Sequence, residues 1–294
     1  MYSSQSQRGT IFAEDAVVLA HEAFPERQFV LTLRAPQCAK RAQPGSFVHL
    51  QCDDLLPMRR PLSIQRADGK QGTIEVLYKV IGTGLDRLAA KQPGARVSLL
   101  GPIGCGFVPH PDRPHALLVG GGVGIPPMIF LAEALHARRD VRFAPFVLMG
   151  SEIPFPFRAR PSTIVVPGMP DGVIACQPAL DAIGVPSRLA SLKDYPGCFH
   201  GYVTDLAATW LAALDRAVLD QVELFACGPT PMLQAIAAVA KKFGLPAQVS
   251  LEEFMACAVG GCAGCAVRVQ TPDGPAMKRV CVDGPVFDAA AVFP

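Results

Sequence analysis

Between residues 10 and 108 the apolar positions come in short runs broken by turn residues. "QFVLTL", "GSFVHLQ", "TIEVLYKV" and "ARVSLL" are rich in β-branched and aromatic side chains, with proline and glycine between them. Runs of this length and spacing predict a small antiparallel β-barrel. "VPHPDRPH" (108–115) has prolines and no apolar period, and reads as a linker.

Beyond it the period changes to strand-then-helix units. "HALLV" leads through glycines into a helical run from Pro127 to Arg139, and "VRFAPFVLM" is a further strand. "TDLAATWLAALDRAVL" has helical periodicity, and "VELFACGPTPMLQAIAAVAKKFG" reads as strand, turn and helix, with Pro231 in the first turn and Gly244 at its stop. Repeated units of this kind predict a parallel sheet faced by helices. After "AQVSLEEF" the chain turns cysteine-rich with too little apolar sequence for its own core, which predicts a metal-stapled module. The expected fold class is therefore α+β multidomain: an antiparallel barrel over 10–108, an α/β parallel-sheet domain over 114–246, and a small module over 247–294.

Half of the 294 residues are apolar, enough for a sizeable core. The 27 basic and 25 acidic residues nearly cancel and form no runs, so neither nucleic acid nor an anionic membrane is expected as a partner. The first twenty residues lack a basic stretch followed by an apolar core, and no later apolar run reaches about 18 residues. A cytoplasmic protein is expected. In that compartment ten cysteines should stay reduced, so a cluster of them points to metal.

"MACAVGGCAGCAVRV" places Cys257, Cys262 and Cys265 in CxxxxCxxC spacing, and Cys281 follows. This is the plant-type 2Fe-2S spacing, in which a loop carries three thiolates and a distant cysteine completes the set. A loop wrapped around a cluster needs unusual dihedrals and close backbone N–H groups, which suits Gly260, Gly261 and Gly264. A four-cysteine zinc site uses the same donors, although such sites more often pair two CxxC knuckles. Cys38, Cys52, Cys105, Cys176 and Cys198 are scattered and read as core or surface thiols.

Glycine-rich turns mark two further candidate sites. In the barrel half, "MRRPLSI" joins an arginine to a proline-bearing strand, "LYKVIGTGL" ends in a glycine turn, and "LLGPIGCGF" adds a third such turn. Arginine with backbone N–H groups suits a pyrophosphate, although "RPLS" alone fits an edge strand with a surface arginine equally well. In the second half, "LLVGGGVGIPP" places Gly120, Gly121, Gly122 and Gly124 between strand and helix, and "FACGPTPML" repeats the arrangement at Cys227, Gly228 and Pro229. Ligands of parallel sheets bind beyond the C-terminal strand ends, so both turns are expected in one crevice. A plain packing corner is the alternative for the first turn, and a structural thiol for Cys227.

The order of barrel, "RPLS", "GPIGCGF", "GGGVGIPP", "CGPTPM" and CxxxxCxxC with "VCVDGPVF" resembles the electron-transfer subunits of two-component dihydroorotate dehydrogenases, within the ferredoxin-NADP reductase superfamily. The resemblance runs from about residue 12 to 288. It implies FAD in the barrel at Arg60, Pro61, Leu62, Ser63, Leu77, Tyr78, Lys79, Gly84 and Leu85. It also implies NAD(H) as substrate on the second domain, and a 2Fe-2S cluster on Cys257, Cys262, Cys265 and Cys281. An FMN-containing catalytic subunit in a heterotetramer is the implied partner. Two departures stand out: Gly84 is followed by Leu85 where the family has a Gly-Thr pair, and the segment 158–198 is long and lacks an acidic "DGS" turn.

Nicotinamide gives two electrons as a hydride whereas an iron-sulfur cluster takes one, and a flavin converts between them. No acid or base residue is therefore expected to be catalytic. Glu152 after "FVLMG" suits a ribose 2'-hydroxyl, while Arg158 and Arg160 suit a 2'-phosphate, and a plain surface role fits all three better. Two other functions fit the motifs: a reductase subunit serving a hydrogenase or oxygenase, and a non-catalytic zinc-bound adaptor.

Overall fold

The computed structural model describes residues 9–294, and the first eight of the twenty N-terminal residues read above lie outside it. The first strand among the described residues, β1 (Phe12–Phe24), is long, buries Ala16 and Val18 and leaves its other positions half-buried or exposed. β2 (Gln28–Arg34), β3 (Phe47–Gln51), β4 (Arg60–Asp68), β5 (Thr73–Lys79) and β6 (Arg96–Ile103) complete a closed barrel in the order β1-β2-β5-β4-β3-β6. Every neighbouring pair is antiparallel, and β6 closes on β1, so the barrel leaves no strand edge unpaired. Alternate residues such as Leu31 and Leu33, Ile74 and Val76, and Val97 and Leu99 point inward and are fully buried or nearly so. Two short helices, α1 (Pro36–Arg41) and α2 (Gly82–Ala89), lie in the connections.

The second unit holds a seven-stranded sheet. Its strands are β7 (His115–Gly121), β8 (Ala144–Gly150), β11 (Ser187–Ser191), β12 (Phe199–His200), β13 (Val222–Cys227), β14 (Ala247–Ser250) and β17 (Val286–Asp288), in the order β12-β11-β8-β7-β13-β14-β17. The ladders from β12 to β14 are parallel. β7 and β13 are buried almost throughout, as strands covered on both faces must be. The chain builds outward from β7 through β8 to β12, then returns to the other side of β7 with β13. That reversal makes the gap between the ends of β7 and β13 a topological switch point.

Helices α3 (Ile125–Ala137), α5 (Val203–Ala212) and α7 (Thr230–Phe243) pack on this sheet. Pro231 lies in the first turn of α7, and Gly244 closes the helix in the left-handed conformation at φ 68°. The run expected as one helix over "TDLAATWLAALDRAVL" is two, because Asp215 adopts extended backbone between α5 and α6 (Arg216–Leu219). The segment 158–198 is ordered around polar side chains. Its short strands β9 (Arg160–Pro161) and β10 (Ala175–Cys176) pair, and α4 (Pro178–Ala182) follows. Buried Arg188 donates to the carbonyls of Val173, Ile164 and Ser187, while Asp181 accepts from the hydroxyls of Ser162 and Thr163.

The supposed linker is tied down. The buried carboxylate of Glu223 on β13 accepts from the backbone N–H of His110, at 2.9 Å, and from Gln248 on β14. The cysteine-rich stretch Leu251–Val286 clusters with the barrel in one compact unit, whereas Phe107–Ser250 and Phe287–Pro294 form the other. Its hairpin of β15 (Ala266–Thr271) and β16 (Gly274–Arg279) follows the cysteine loop. The Cys105 N–H then donates to the Gly284 carbonyl at 2.6 Å, which joins the end of β6 to the "VDGPVF" segment.

Candidate functional site

The start of β4 and the head of α2 meet at Arg60. A Cβ added at Gly84 would stand about 3.1 Å from the guanidinium, so the helix comes this close only because that residue is glycine. Arg60 donates through Nη1 to the carbonyls of Met58 and Arg59 and, among the described residues, makes no other hydrogen bond. Its Nε and Nη2 lie against Gly84. No side chain caps α2, and Gly82 has φ 71° with open space where a Cβ would be. The first N–H groups of the helix and one arginine make a cradle suited to a pyrophosphate.

The adjacent Arg59 does something else. It donates to the Ser98 carbonyl and hydroxyl, each at 2.8 Å, and to the His49 carbonyl, clamping β3, β4 and β6 together. Pro61 and Ser63 are half-buried beside Arg60, and Leu62 is buried. Leu77 and Tyr78 of β5 are buried too. The Tyr78 ring stacks on Phe29 with centroids 5.5 Å apart, and its hydroxyl hydrogen-bonds His21, so this side chain belongs to the barrel wall. Lys79 is half-buried at the strand end, and Leu85 packs inward. Gly82 and Thr83, which were not singled out from the sequence, are both exposed at the head of α2.

At the switch point the two glycine turns touch. A Cβ on Gly124 would lie 2.3 Å from the Cys227 carbonyl oxygen and 2.5 Å from the Gly228 nitrogen, and one on Gly120 would lie 2.8 Å from the Ile125 Cα. These glycines let α3 start directly against the end of β13. Gly121 and Gly228 face Met232 of α7 in the same way. Gly122 differs, having φ 55° and nothing within 4 Å of where its Cβ would be. Pro126 and Pro127 remove two N–H groups from the first turn of α3, and the N–H groups of Gly122, Val123 and Gly124 precede it. Cys227 is fully buried and Pro229 is exposed at the head of α7. Glu152 and Arg158 are exposed beyond β8, and Arg160 is 3.8 Å from the Asp181 carboxylate.

The four loop cysteines meet in two pairs. The sulfurs of Cys265 and Cys281 are 3.3 Å apart, and the Cys262 N–H donates to the Cys257 sulfur at 3.4 Å. The Gly264 N–H in turn faces the Cys262 sulfur. Among the described residues no three His, Cys, Asp or Glu side chains converge on one point. Two thiols for each of two irons is the need of a 2Fe-2S group, whereas one zinc gathers all four. Ala258 and Ala263 hold φ near +55° in this loop, a strain of about 1–3 kcal/mol each.

Burial acts to raise the Cys257 thiol, but N–H groups of Val259, Cys262 and Gly261 and the Cys262 thiol outweigh it and hold its pKa down at about 7. Cys281 is pushed up to about 12 by burial and then by Cys265. Elsewhere burial alone moves Cys198 up to about 11 and is the main cause of a similar rise at Cys52, as expected of inert structural thiols. His49 on β3 was also missed: it is fully buried with the backbone of Arg59 and Met255 beside its ring, and among the described residues neither ring nitrogen makes a hydrogen bond of good geometry. Nothing in a strand pattern marks it.

Residues 252–293 match the family described as the iron-sulfur cluster binding domain of dihydroorotate dehydrogenase B. Over 286 residues the chain is 36% identical to the dihydroorotate dehydrogenase B (NAD(+)) electron transfer subunit of Geobacillus thermodenitrificans, covering 95% of this chain and 98% of the relative. The subunit of the same name from Shouchella clausii is 32% identical over 269 residues, covering 90% and 92%. Among solved structures, an NADH-dependent reduced ferredoxin-NADP oxidoreductase superposes with a TM-score of 0.74 at 25% identity, covering 95% and 90%. An Amycolatopsis cytochrome P450 reductase shares the fold with a TM-score of 0.61 at 18% identity, over 79% and 66%.

Proposed function

Because the chain belongs to the family of dihydroorotate dehydrogenase B electron transfer subunits, we propose that it carries electrons between NAD(H) and a catalytic subunit through FAD and a 2Fe-2S cluster of its own. The observation that carries this reading is the two thiol pairs in the same compact unit as the Arg60 cradle. Bound flavin exchanges two electrons with nicotinamide and single electrons with iron-sulfur, which is the only redox conversion required.

The chain's own residues bind and orient. Arg60 and the Gly82–Gly84 turn hold the flavin's pyrophosphate, with Pro61 to Ser63 and Lys79 beside it. Gly122 to Gly124 and the Gly228 turn hold the nucleotide at the switch point. Cys257 and Cys262 hold one iron, Cys265 and Cys281 the other, and loop N–H groups stabilise the thiolates. No side chain needs to act as acid or base.

The partner is proposed to be an FMN-containing catalytic subunit that oxidises dihydroorotate, joined in a heterotetramer and located in the cytoplasm. Among the described residues no helix is long and apolar enough to cross a membrane. The test is to purify the chain anaerobically, quantify flavin and iron, and add NADH. Yellow-brown protein bleached by NADH is the expected result, and colourless zinc-containing protein would overturn it. Capture of the catalytic subunit tests the partner. The likeness to an NADH-dependent ferredoxin-NADP oxidoreductase favours a second reading, service to a different oxidoreductase, if another subunit is captured.

A further inference from the structure

Gly260 connects the two thiol pairs. Its N–H faces the Cys281 sulfur, and its carbonyl accepts from Arg279 Nη1 at 2.9 Å. Gly260 has φ 81°, and a Cβ there would come within 3.0 Å of Val282 and 3.3 Å of Arg279 Nη1, so the guanidinium lies directly on the loop. Arg279 is in turn fixed by Asp283, whose carboxylate accepts from the Arg279 backbone N–H at 2.7 Å and from its Nε at 3.3 Å. The Arg279 carbonyl accepts from the N–H groups of Val282 and Asp283, closing a turn around Cys281.

A surface ion pair in a hairpin ordinarily contributes little to stability, and stability alone would explain this one poorly. Its placement is unusual because Arg279 is bonded to the Gly260 carbonyl, and the N–H of that same peptide, Gly261, faces the Cys257 sulfur. We propose that Arg279 and Asp283 form an oriented charge pair that positions the Gly260 peptide and sets the reduction potential of the cluster, Arg279 raising it and Asp283 lowering it. This rests on the iron-sulfur reading above. Reduction adds one electron and one negative charge to the cluster without making or breaking a bond to the chain, so a neighbouring cation favours the reduced state and an anion opposes it.

The signs separate this role from a structural one. Removing Arg279 also leaves Asp283 unpaired, so both effects act in the same direction. Arg279→Met should lower the reduction equilibrium on the order of tenfold, which is about 59 mV for one electron. Asp283→Asn should raise it by a similar factor. Arg279→Lys keeps the charge and should stay close to the parent. A merely structural clamp predicts damage of one kind from all three.

The experiment is an anaerobic redox titration of the full-length holoprotein, followed by electron paramagnetic resonance of the reduced cluster, with iron content measured for each variant. Opposite shifts for Arg279→Met and Asp283→Asn support the proposal. Shifts of the same sign, or unchanged potentials with iron retained, overturn it. If Arg279→Met loses its iron, an upward shift in Asp283→Asn with an unchanged Arg279→Lys supports the proposal, and any other pattern overturns it. A parent protein without iron would instead sink the iron-sulfur reading itself.

Discussion

Gly122 and Gly124 are two residues apart in one turn, yet a methyl group at each should do different harm. At Gly124 the new Cβ would meet the backbone of Cys227 and Gly228 at 2.3–2.5 Å. Neither strand nor turn can rotate aside as a side chain would, so the cost should reach the upper end of the overpacking range, about 3 kcal/mol. At about 2–4 °C per kcal/mol for a unit of this size, Gly124→Ala should lower Tm by roughly 6–12 °C. At Gly122 the Cβ meets nothing within 4 Å, and only the positive φ is penalised, about 1–2 kcal/mol. On the proposed nucleotide site, that methyl would fill the open space through which a phosphate would reach the turn. Gly122→Ala should therefore weaken NADH binding tenfold or more, about 1.4 kcal/mol, while unfolding only a few degrees early. Scanning calorimetry and calorimetric titration with NAD(H) measure the two effects. A Gly122→Ala protein that binds NADH like the parent, or a Gly124→Ala protein that melts with it, would refute the reasoning.

Other substitutions probe the remaining sites. Arg60→Ala should weaken flavin binding by about 10–150-fold, the value of a charge-assisted hydrogen bond of about 1.5–3 kcal/mol, with little change in the melting of the apoprotein. Arg59→Ala should destabilise the barrel by a similar energy, because its bonds to Ser98 and His49 are internal, and apoprotein calorimetry distinguishes the two. Ser at Cys257, Cys262, Cys265 or Cys281 should abolish iron retention, whereas Cys52→Ser should retain iron, as elemental analysis will show. His49 gives a pH signature: burial, and then the charge of Arg59, lower its pKa from 6.5 to about 4. The unfolded chain then takes up a proton that the folded one refuses, so stability falls as pH drops from about 6.5 to 4, by roughly 3 kcal/mol at 1.36 kcal/mol per pH unit. Denaturant unfolding of His49→Leu should lack that component, and an unchanged pH slope would count against it.

Much of the architecture was legible because period and punctuation are local properties. The barrel runs at Gln28, Phe47, Thr73 and Arg96, the parallel-sheet units, and the Pro231 and Gly244 boundaries of α7 all appear where the residues indicate. β1 was missed because its 13 residues mix charge with apolar positions and bury few of them. The meeting of both glycine turns was legible because strand ends in a parallel sheet share one edge. What could not be read were pairings distant in sequence. Arg59 and Arg60 look alike in "MRRPLSI", and only the position of Ser98 distinguishes clamp from cradle. Tyr78 sits in a motif that suggests a ligand contact, and that its ring stacks on Phe29 could not be read from that motif. The segment 158–198 gave no periodic signal because Arg188 and Asp181 organise it through carbonyls and hydroxyls.

The discontinuous make-up of the barrel unit has a consequence for how the protein is made. Its last piece, Leu251–Val286, follows the whole of Phe107–Ser250 in the chain. At about 5–20 residues per second, a ribosome spends on the order of 10 s translating that insert before the cysteine loop exists. The nascent barrel must wait with Gly104 and Cys105 uncovered by Pro285 and Gly284. Iron cannot be delivered during this interval. Messages truncated before residue 251 should yield a barrel that is open to proteolysis, and cluster insertion should follow synthesis of Cys281.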